Sequence, residues 1–249
     1  MAEKFDVAVV PVSKKLWSVC LITGLVLWLL AILLWVTGGL DQAALFYFDQ
    51  LRADGNELVF VVFQWITSYG MPSISFIYVL YLLATYQRKT LDAPLAINFY
   101  VICSMALSGI GGDLLKLVIN RPRPSVAFAD SLIHLLQHGS SAMPSGHSTK
   151  AMALAVPFIL LAAHKSFGNK VVKVLVSLLA LGVMVSRVIL GAHYVSDVVA
   201  GMGMAFVGFP FTMLFANMVL QHVDEEKLPK LRIVWGVLLV VLTAIFMVF

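Results

Sequence analysis

Residues 16–37 form an apolar run of 22 residues without a charged side chain. At 1.5 Å per residue, a helix of this length crosses the roughly 30 Å hydrocarbon core of a bilayer. A backbone inside lipid must satisfy its own hydrogen bonds, which leaves helices and closed barrels as the possible folds, and runs of about 20 residues are typical of helices. Further apolar runs lie at residues 71–86, 96–118, 147–163, 171–190, 198–220 and 233–249.

Composition supports the same class, because 61% of the residues are hydrophobic and 12% are charged. Soluble domains have about 45–50% apolar and about 25% charged residues. We therefore predict an all-α, polytopic membrane helical bundle with six core transmembrane helices, forming one integral membrane domain over residues 1–249 with a motif-bearing core at 95–220. A C-terminal apolar helix follows at 233–249, and both a crossing and a half-inserted interfacial helix fit its length.

Three smaller expectations complete the organisation of the chain. The first run exceeds the 7–15-residue core of a signal peptide, so we expect it to be retained as a span. Residues 41–57 form a polar stretch, and we expect residues 59–65 to lie in the membrane interface before the second span. Cys20 and Cys103 both lie inside apolar runs, so we expect them to be unpaired.

Basic residues predict the orientation. A net charge of +4 in a soluble protein would raise the question of nucleic acid, but in a membrane protein Lys and Arg collect in cytoplasmic loops. A cytoplasmic N-terminus assigns 11 of the 17 cations to the cytoplasmic side: Lys4, Lys14, Lys15, Arg88, Lys89, Lys165, Lys170, Lys173, Lys227, Lys230 and Arg232. The outer side then holds Arg52, Lys116, Arg121, Arg123, Lys150 and Arg187. This orientation places residues 119–146 and the turn after the fifth span together on the outer face.

Three polar clusters on that face, at residues 116–124, 144–147 and 186–197, together predict an anion site. Lys116, Arg123 and Arg187 are cations with few acids nearby in the sequence, and Arg and Lys are the side chains that bind phosphate oxygens. Ser145 and Gly146 directly precede the fourth span, so we expect their N–H groups at a helix N-terminus, where anions bind.

Two histidines supply groups that can react. His193 and Asp197 lie four residues apart, so they share one face of a helical turn. A carboxylate in that position can hold one ring nitrogen and leave the other free as a nucleophile. His147 can then protonate a leaving oxygen.

The three motifs read K-x6-R-P, P-S-G-H and S-R-x5-H-x3-D, and in this order and spacing they resemble the type 2 phosphatidic acid phosphatase superfamily, which is related to vanadium haloperoxidases and glucose-6-phosphatase. The resemblance covers residues 116–197, about a third of the chain. It implies that His193 forms a phosphohistidine, that Asp197 orients it and that His147 is the general acid. It also implies no metal and no cofactor, and phosphate binding by Lys116, Arg123, Ser145, Gly146 and Arg187.

The family spacing also distinguishes two adjacent R-P pairs. Only Arg123 lies seven residues after Lys116, so the resemblance assigns phosphate binding to Arg123 rather than to Arg121.

The function implied by this resemblance is hydrolysis of a lipid phosphomonoester or diphosphate at the periplasmic or extracellular side of a bacterial cytoplasmic (inner) membrane. Undecaprenyl diphosphate, phosphatidylglycerol phosphate, phosphatidic acid and lipid A phosphates all fit, because the motifs bind a phosphate and do not distinguish the tail. The expected partners are this lipid substrate and membrane lipids, with no nucleic acid. A lipid phosphotransferase would use the same residues. A transporter for anionic lipids or phosphate would explain the cations but not the spacing of His193 and Asp197.

Polar residues outside the motifs have structural interpretations. Asp113 lies one turn before Lys116, and we expect it to pair with that lysine or with Arg121. His134 and His138 are expected to face water or headgroups, although their spacing also fits a metal site. Close helix packing is indicated by Gly201, Gly203 and Gly208.

Overall fold

The computed structural model of the chain describes residues 12–83, 93–128, 141–161 and 167–248, and no strand occurs among them. His134 and His138 lie outside these residues. The helices are α1 (Lys14–Thr37), α2 (Gly39–Ala53), α3 (Glu57–Leu83), α4 (Ala93–Ile119), α5 (Pro124–Ala127), α6 (Gly146–Leu161), α7 (Phe167–Ile189), α8 (Val195–Leu220) and α9 (Leu228–Val248). A 3₁₀ turn, Glu225–Lys227, leads into α9. The prediction of an all-α membrane bundle is confirmed.

Local sequence sets both ends of α1. The hydroxyl of Ser13 accepts a hydrogen bond of 3.1 Å from the N–H of Leu16 and caps the first turn. At the other end Gly38 takes φ +68°, a left-handed conformation that glycine adopts at little cost, and its N–H donates to the carbonyl of Leu34. The helix therefore ends where the apolar run ends.

Helix α8 lies in the centre of the bundle and contacts α1, α2, α4, α6 and α7. Helix α3 packs against α7 and α9, and α4 packs against α6 and α9. By length and composition, six helical segments of the described chain can cross a membrane: Lys14–Thr37, Glu57–Leu83, Leu95–Ala127, Gly168–Ile189, Val195–Leu220 and Leu228–Ile245. Helix α6 is shorter, with 16 residues, and most of its side chains are buried among the other helices.

The three glycines of α8 lie where other segments approach closely, as predicted. A Cβ on Gly203 would lie 3.0 Å from the carbonyl oxygen of Gly24 in α1, and one on Gly208 would lie 3.1 Å from Oγ of Ser108 in α4. A Cβ on Gly201 would lie 2.8 Å from the carbonyl oxygen of Ser145. These contacts let α8 serve as the central helix.

The second span differs from the prediction. Residues 59–65 are not a separate interfacial segment, because α3 runs without a break from Glu57 to Leu83. The apolar pattern weakens near Gly70 for a packing reason: a Cβ there would lie 2.4 Å from Cγ2 of Val183, so this face of α3 lies directly against α7. The polar stretch before it is also helical and forms most of α2.

The C-terminal apolar run forms α9, which begins five residues earlier than predicted and lies along α3. Near one end Gly236 faces Leu82, and further along Thr243 shares a 2.6 Å hydrogen bond with Ser75. This lengthwise packing is typical of a crossing helix and not of one that lies flat in the interface. Cys20 and Cys103 are both buried and unpaired, as predicted.

Candidate active site

The three motifs meet at one end of the bundle, where α4 and α7 end and α6 and α8 begin. Charged side chains are costly to bury in isolation, so their concentration at one end of an apolar bundle indicates a site that binds charge. Each of the following is at most 8% exposed: Arg123, Ser145, Arg187, His193 and Asp197.

A tight loop between α7 and α8 holds His193. The carbonyl of Arg187 accepts hydrogen bonds from the N–H groups of Ala192 at 3.0 Å and His193 at 3.1 Å. Gly191 allows the turn with φ +67°. Asp197 follows in the first turn of α8, so the chain returns the carboxylate to the imidazole.

The two ring nitrogens of His193 have different partners. Nδ1 lies 3.4 Å from Oδ2 of Asp197, which also accepts a 3.0 Å hydrogen bond from the N–H of Tyr194. Nη1 of Arg123 lies 3.3 Å from Nε2 and donates to the carbonyl of Ala192 at 3.2 Å. A guanidinium has only donors, so Nε2 accepts and Nδ1 carries the proton. The lone pair of the ring is therefore on Nε2.

His193 is neutral at neutral pH in this environment. Burial, together with the positive charges of Arg123 and Arg187, holds the pKa of the imidazole well below its usual value of 6.5. The charges that surround the ring thus favour the unprotonated form of the imidazole.

The loop before α6 is held by the two other motifs. The N–H of Ala142 donates to the carbonyl of Arg121 at 2.8 Å, and the N–H of Ser145 donates to the carbonyl of Asp197 at 3.0 Å. The second of these contacts differs from expectation, because it uses the Ser145 N–H that we assigned to an anion. Helix α6 begins at Gly146, and the hydroxyl and carbonyl of Ser145 accept hydrogen bonds from the N–H groups of Ser148 and Thr149. The N–H groups of Gly146 and His147 therefore have no intrahelical acceptor.

Lys116 lies against the start of α6. Its Nζ would be 3.1 Å from a Cβ on Gly146, so the glycine leaves space for the ammonium group. The same Nζ pairs with Oδ1 of Asp113 at 2.9 Å, and Asp113 is 62% exposed. Of the two partners expected for Asp113, the structure shows Lys116.

Arg187 combines one fixed contact with one open donor. Its Nη1 donates to Oγ1 of Thr67 on α3 at 3.1 Å, which orients the guanidinium. Its Nε is buried and has no hydrogen-bond partner among the described residues. A buried donor without an acceptor costs about 1–3 kcal/mol, so an anion that binds this nitrogen would remove that cost.

His147 lies in the first turn of α6 and is half-buried. It is close enough to Arg187, His193 and Arg123 for their charges to act on it. All eight predicted site residues therefore lie at the same end of the bundle, although up to 81 residues separate them along the chain.

Sequence reasoning missed four polar residues that hold the site. Thr67 orients Arg187, and Arg121 binds Oδ1 of Asp197 at 2.6 Å. Asp41 binds both Arg121 and the backbone N–H of Ser196. Only Arg121 gave a sequence signal, as the first of the two R-P pairs. Asp41 and Thr67 lie far from the motifs in sequence, so no spacing could indicate them.

Comparisons with known proteins agree with this geometry. A family model described as the PAP2 superfamily matches residues 97–221. A lipid A 1-phosphatase of Rhizobium etli is 37% identical over 125 residues, covering 48% of this chain and 49% of that protein. The phosphatidylglycerophosphatase B of Bacillus subtilis is 33% identical over 129 residues, covering 50% of this chain and 58% of that protein. The chain thus spans about half the length of the curated relatives it matches.

A solved structure shows the same fold. The transmembrane PAP2 type phosphatidylglycerolphosphate phosphatase of Bacillus subtilis aligns with a TM-score of 0.56 and 22% identity, covering 83% of this chain and 98% of that one. The matched family model begins in α4 and ends just after α8, so it contains all three motifs. It covers half of the sequence, and the chain therefore belongs to the PAP2 superfamily.

Proposed function

We propose that this protein is a metal-independent lipid phosphatase that works through a phosphohistidine on His193. The observation that carries the proposal is the state of the imidazole. Nε2 carries the lone pair and lies 3.3 Å from Nη1 of Arg123, and Nδ1 faces the carboxylate of Asp197. This arrangement is the one that a histidine nucleophile requires.

The reaction has two steps. The lone pair on Nε2 of His193 attacks phosphorus, the bond between phosphorus and the lipid oxygen breaks, and His147 gives its proton to that oxygen. Water then attacks the phosphohistidine while His147 takes its proton, and the P–N bond breaks to release phosphate and restore His193. Asp197 holds the proton on Nδ1 and stabilises the imidazolium charge as the ring reacts.

Cations around His193 support phosphoryl transfer without a metal. Phosphoryl transfer requires mainly the positioning of the phosphate and the neutralisation of charge on its oxygens. Arg123 adjoins Nε2, Arg187 has an open buried Nε, and Lys116 adjoins the start of α6. Together with the N–H groups of Gly146 and His147 at the start of α6, these donors can surround the equatorial oxygens.

A lipid substrate fits the place of the site. The site lies at one end of a membrane bundle, where a lipid headgroup meets the protein, and the curated relatives are named as lipid A 1-phosphatase and phosphatidylglycerophosphatase B. We propose a lipid phosphomonoester or diphosphate as substrate. The distribution of Lys and Arg supports a cytoplasmic N-terminus and an outward-facing site in a bacterial inner membrane.

Phosphate release by the purified protein tests this function. In detergent with excess EDTA, we expect turnover of at least one lipid among phosphatidic acid, phosphatidylglycerol phosphate, undecaprenyl diphosphate and lipid A. We expect His193→Ala to lower kcat by at least about 10⁴-fold, because removal of the nucleophile leaves only binding and electrostatic effects. Acid-labile, alkali-stable phosphate bound to the wild-type protein should accompany turnover.

His222→Ala is the matched control, because this exposed histidine follows α8 at the opposite end of that helix from the site. It should retain wild-type activity. Strict dependence on added Mg²⁺ would contradict metal independence. A His193→Ala protein with near-normal turnover and an unchanged melting temperature would contradict the assignment of the nucleophile.

A further inference from the structure

A second arginine lies behind the catalytic carboxylate. Nη1 of Arg121 donates to Oδ1 of Asp197 at 2.6 Å and to the hydroxyl of Ser196 at 2.6 Å. Its Nη2 donates to Oδ2 of Asp41 at 2.8 Å. Asp41 also accepts from the backbone N–H of Ser196 at 2.9 Å and from its hydroxyl. One guanidinium therefore bridges two buried carboxylates from α2 and α8.

The position of Arg121 separates it from the phosphate-binding cations. The carbon centre of its guanidinium lies 3.9 Å from the ring centroid of Tyr194 and 5.1 Å from that of Trp35. Its edges are occupied by Asp41, Asp197 and Ser196, and it is 7% exposed. Arg123, by contrast, reaches Nε2 of His193. The two R-P pairs thus place one arginine on each side of the His193–Asp197 pair.

The two carboxylate oxygens of Asp197 have different partners. Oδ1 is bound by Arg121, while Oδ2 accepts from Tyr194 and faces Nδ1 of His193. A charge-assisted hydrogen bond to Oδ1 fixes the plane of the carboxylate, and that plane determines where Oδ2 lies. Asp41 holds Arg121 from the opposite side. Without this cation, two carboxylates at most 2% exposed would be buried with less compensation.

We propose that Arg121 and Asp41 are a positioning pair that holds Asp197 against His193 and anchors α2 to the active site. The proposal rests on the proposed function of His193. It assigns to Arg121 no contact with phosphate: the arginine acts through Asp197, and Asp41 acts through Arg121.

Steady-state kinetics of Arg121→Gln and Arg123→Gln distinguish positioning from phosphate binding. For Arg121→Gln we expect kcat to fall by roughly 10- to 100-fold, the effect of one charge-assisted hydrogen bond, with KM and the inhibition constant of inorganic phosphate within about threefold of wild type. For Arg123→Gln we expect both constants to rise by about tenfold or more. Arg52→Gln is a control for the loss of an arginine outside the site. Arg52 lies in α2 and stacks on Phe60, so this variant should keep the kcat and KM of wild type.

The pH profile supplies a readout that a merely structural role would not change. The charged or titratable groups around His193 are Arg123, Arg187 from α7, Lys116 from α4, His147 from α6 and Asp197 from α8. In Arg121→Gln the positive charge of Arg121 no longer offsets the negative charge of Asp197, so Asp197 stabilises the imidazolium form of His193 more strongly. The pKa of His193 therefore rises, and the acid limb of kcat/KM moves to higher pH. Asp41→Asn removes a negative charge from the same cluster, so the pKa of His193 falls and the acid limb of this variant moves to lower pH. Opposite shifts support the pair.

Two further variants test the proposal if Arg121→Gln does not fold. Arg121→Lys keeps the charge but cannot bridge both carboxylates, so kcat should fall by about tenfold while the acid limb stays within about 0.3 pH units. In the double variant Asp41→Asn/Arg121→Lys, the loss should be smaller than the product of the two single losses. Wild-type kcat and pH limbs in both Arg121→Lys and Asp41→Asn would overturn the proposal.

Wild type and His193→Ala, assayed in parallel, separate this inference from the function. If wild type turns over no lipid phosphate, or if His193→Ala is active, the proposed function fails and the positioning role fails with it. If wild type is active, His193→Ala is inactive and the Arg121 and Asp41 variants behave as wild type, only the positioning role fails.

Discussion

At the scale of single residues, the chemistry of the site depends on which atoms of each side chain already have a hydrogen-bond partner. The 3.4 Å separation between Nδ1 of His193 and Oδ2 of Asp197 is long for a hydrogen bond. Catalytic contacts of this kind shorten when substrate binds. Arg187 is tethered through Nη1 while its Nε is open, so the same guanidinium is both positioned and available. The proposed nucleophile therefore lies in the same site as an open, buried donor.

The pKa of His193 predicts the pH dependence of the enzyme. Because burial and the charges of Arg123 and Arg187 lower this pKa, the imidazole stays neutral to a lower pH than an ordinary histidine. In the proposed mechanism the neutral form is the nucleophile, so we expect the acid limb of kcat/KM to lie below pH 6.5. Two substrates with different phosphate pKa values separate the ionisation of the enzyme from that of the substrate, since a limb common to both belongs to the enzyme. An acid limb at or above 6.5 with both would contradict the prediction.

At the scale of helices, the position of the P-S-G-H loop depends on the crossing of α6 and α8. A Cβ on Gly201 would lie 2.8 Å from the carbonyl oxygen of Ser145 and 3.0 Å from the backbone nitrogen of Thr149. Backbone atoms cannot move aside as a flexible side chain can, so the start of α6 would have to shift. The same loop is bonded to Asp197, which couples helix packing to the His193–Asp197 pair.

Gly201→Ala should therefore reduce both stability and activity. We expect a loss of about 1–3 kcal/mol in the free energy of unfolding from overpacking, with kcat reduced by at least about tenfold because the loop moves. Gly236→Ala in α9 is the matched control, because its Cβ would meet Leu82 at an ordinary 3.8 Å. Melting temperature and phosphate release in the same detergent measure both effects. Equal behaviour of the two variants would show that the crossing tolerates a methyl group.

At the scale of the whole molecule, apolar side chains form both the core and much of the outer surface. Val36 is 79% exposed and Val118 is 81% exposed, whereas Asp197 is fully buried. The apolar surface suits contact with lipid, and the charged site lies at one end of the bundle. The positive-inside rule predicts that this end faces outward.

Labelling of introduced cysteines tests the orientation. Ala53 at the end of α2 and Glu226 before α9 are both exposed, and they lie on opposite sides in the proposed topology. An impermeant maleimide should label Ala53→Cys in intact cells and Glu226→Cys only after the membrane is opened. Wild type should stay unlabelled because Cys20 and Cys103 are buried. The reverse pattern would place the site in the cytoplasm.

The sequence by itself determined the fold class, and it predicted the candidate site residues that the structure places at one end of the bundle. Apolar runs of this length form helices in lipid, because the backbone must satisfy its own hydrogen bonds there. The motifs have the spacing of a known family, and their residue types are ones that can bind phosphate or transfer protons. It also indicated close packing at Gly201, Gly203 and Gly208. It failed at the start of α3, because the face that packs against α7 near Gly70 resembles an interruption of the apolar run.

Only the tertiary structure decided which residues hold the site in place. Asp41 lies 155 residues before Ser196 and Thr67 lies 120 residues before Arg187, so no local pattern relates them. The structure also showed that the Ser145 N–H binds Asp197, whereas the sequence had directed it to an anion. The physical reason is that hydrogen bonds depend on atoms within about 3.5 Å in space, while sequence periodicity reports only neighbours along one helix or strand.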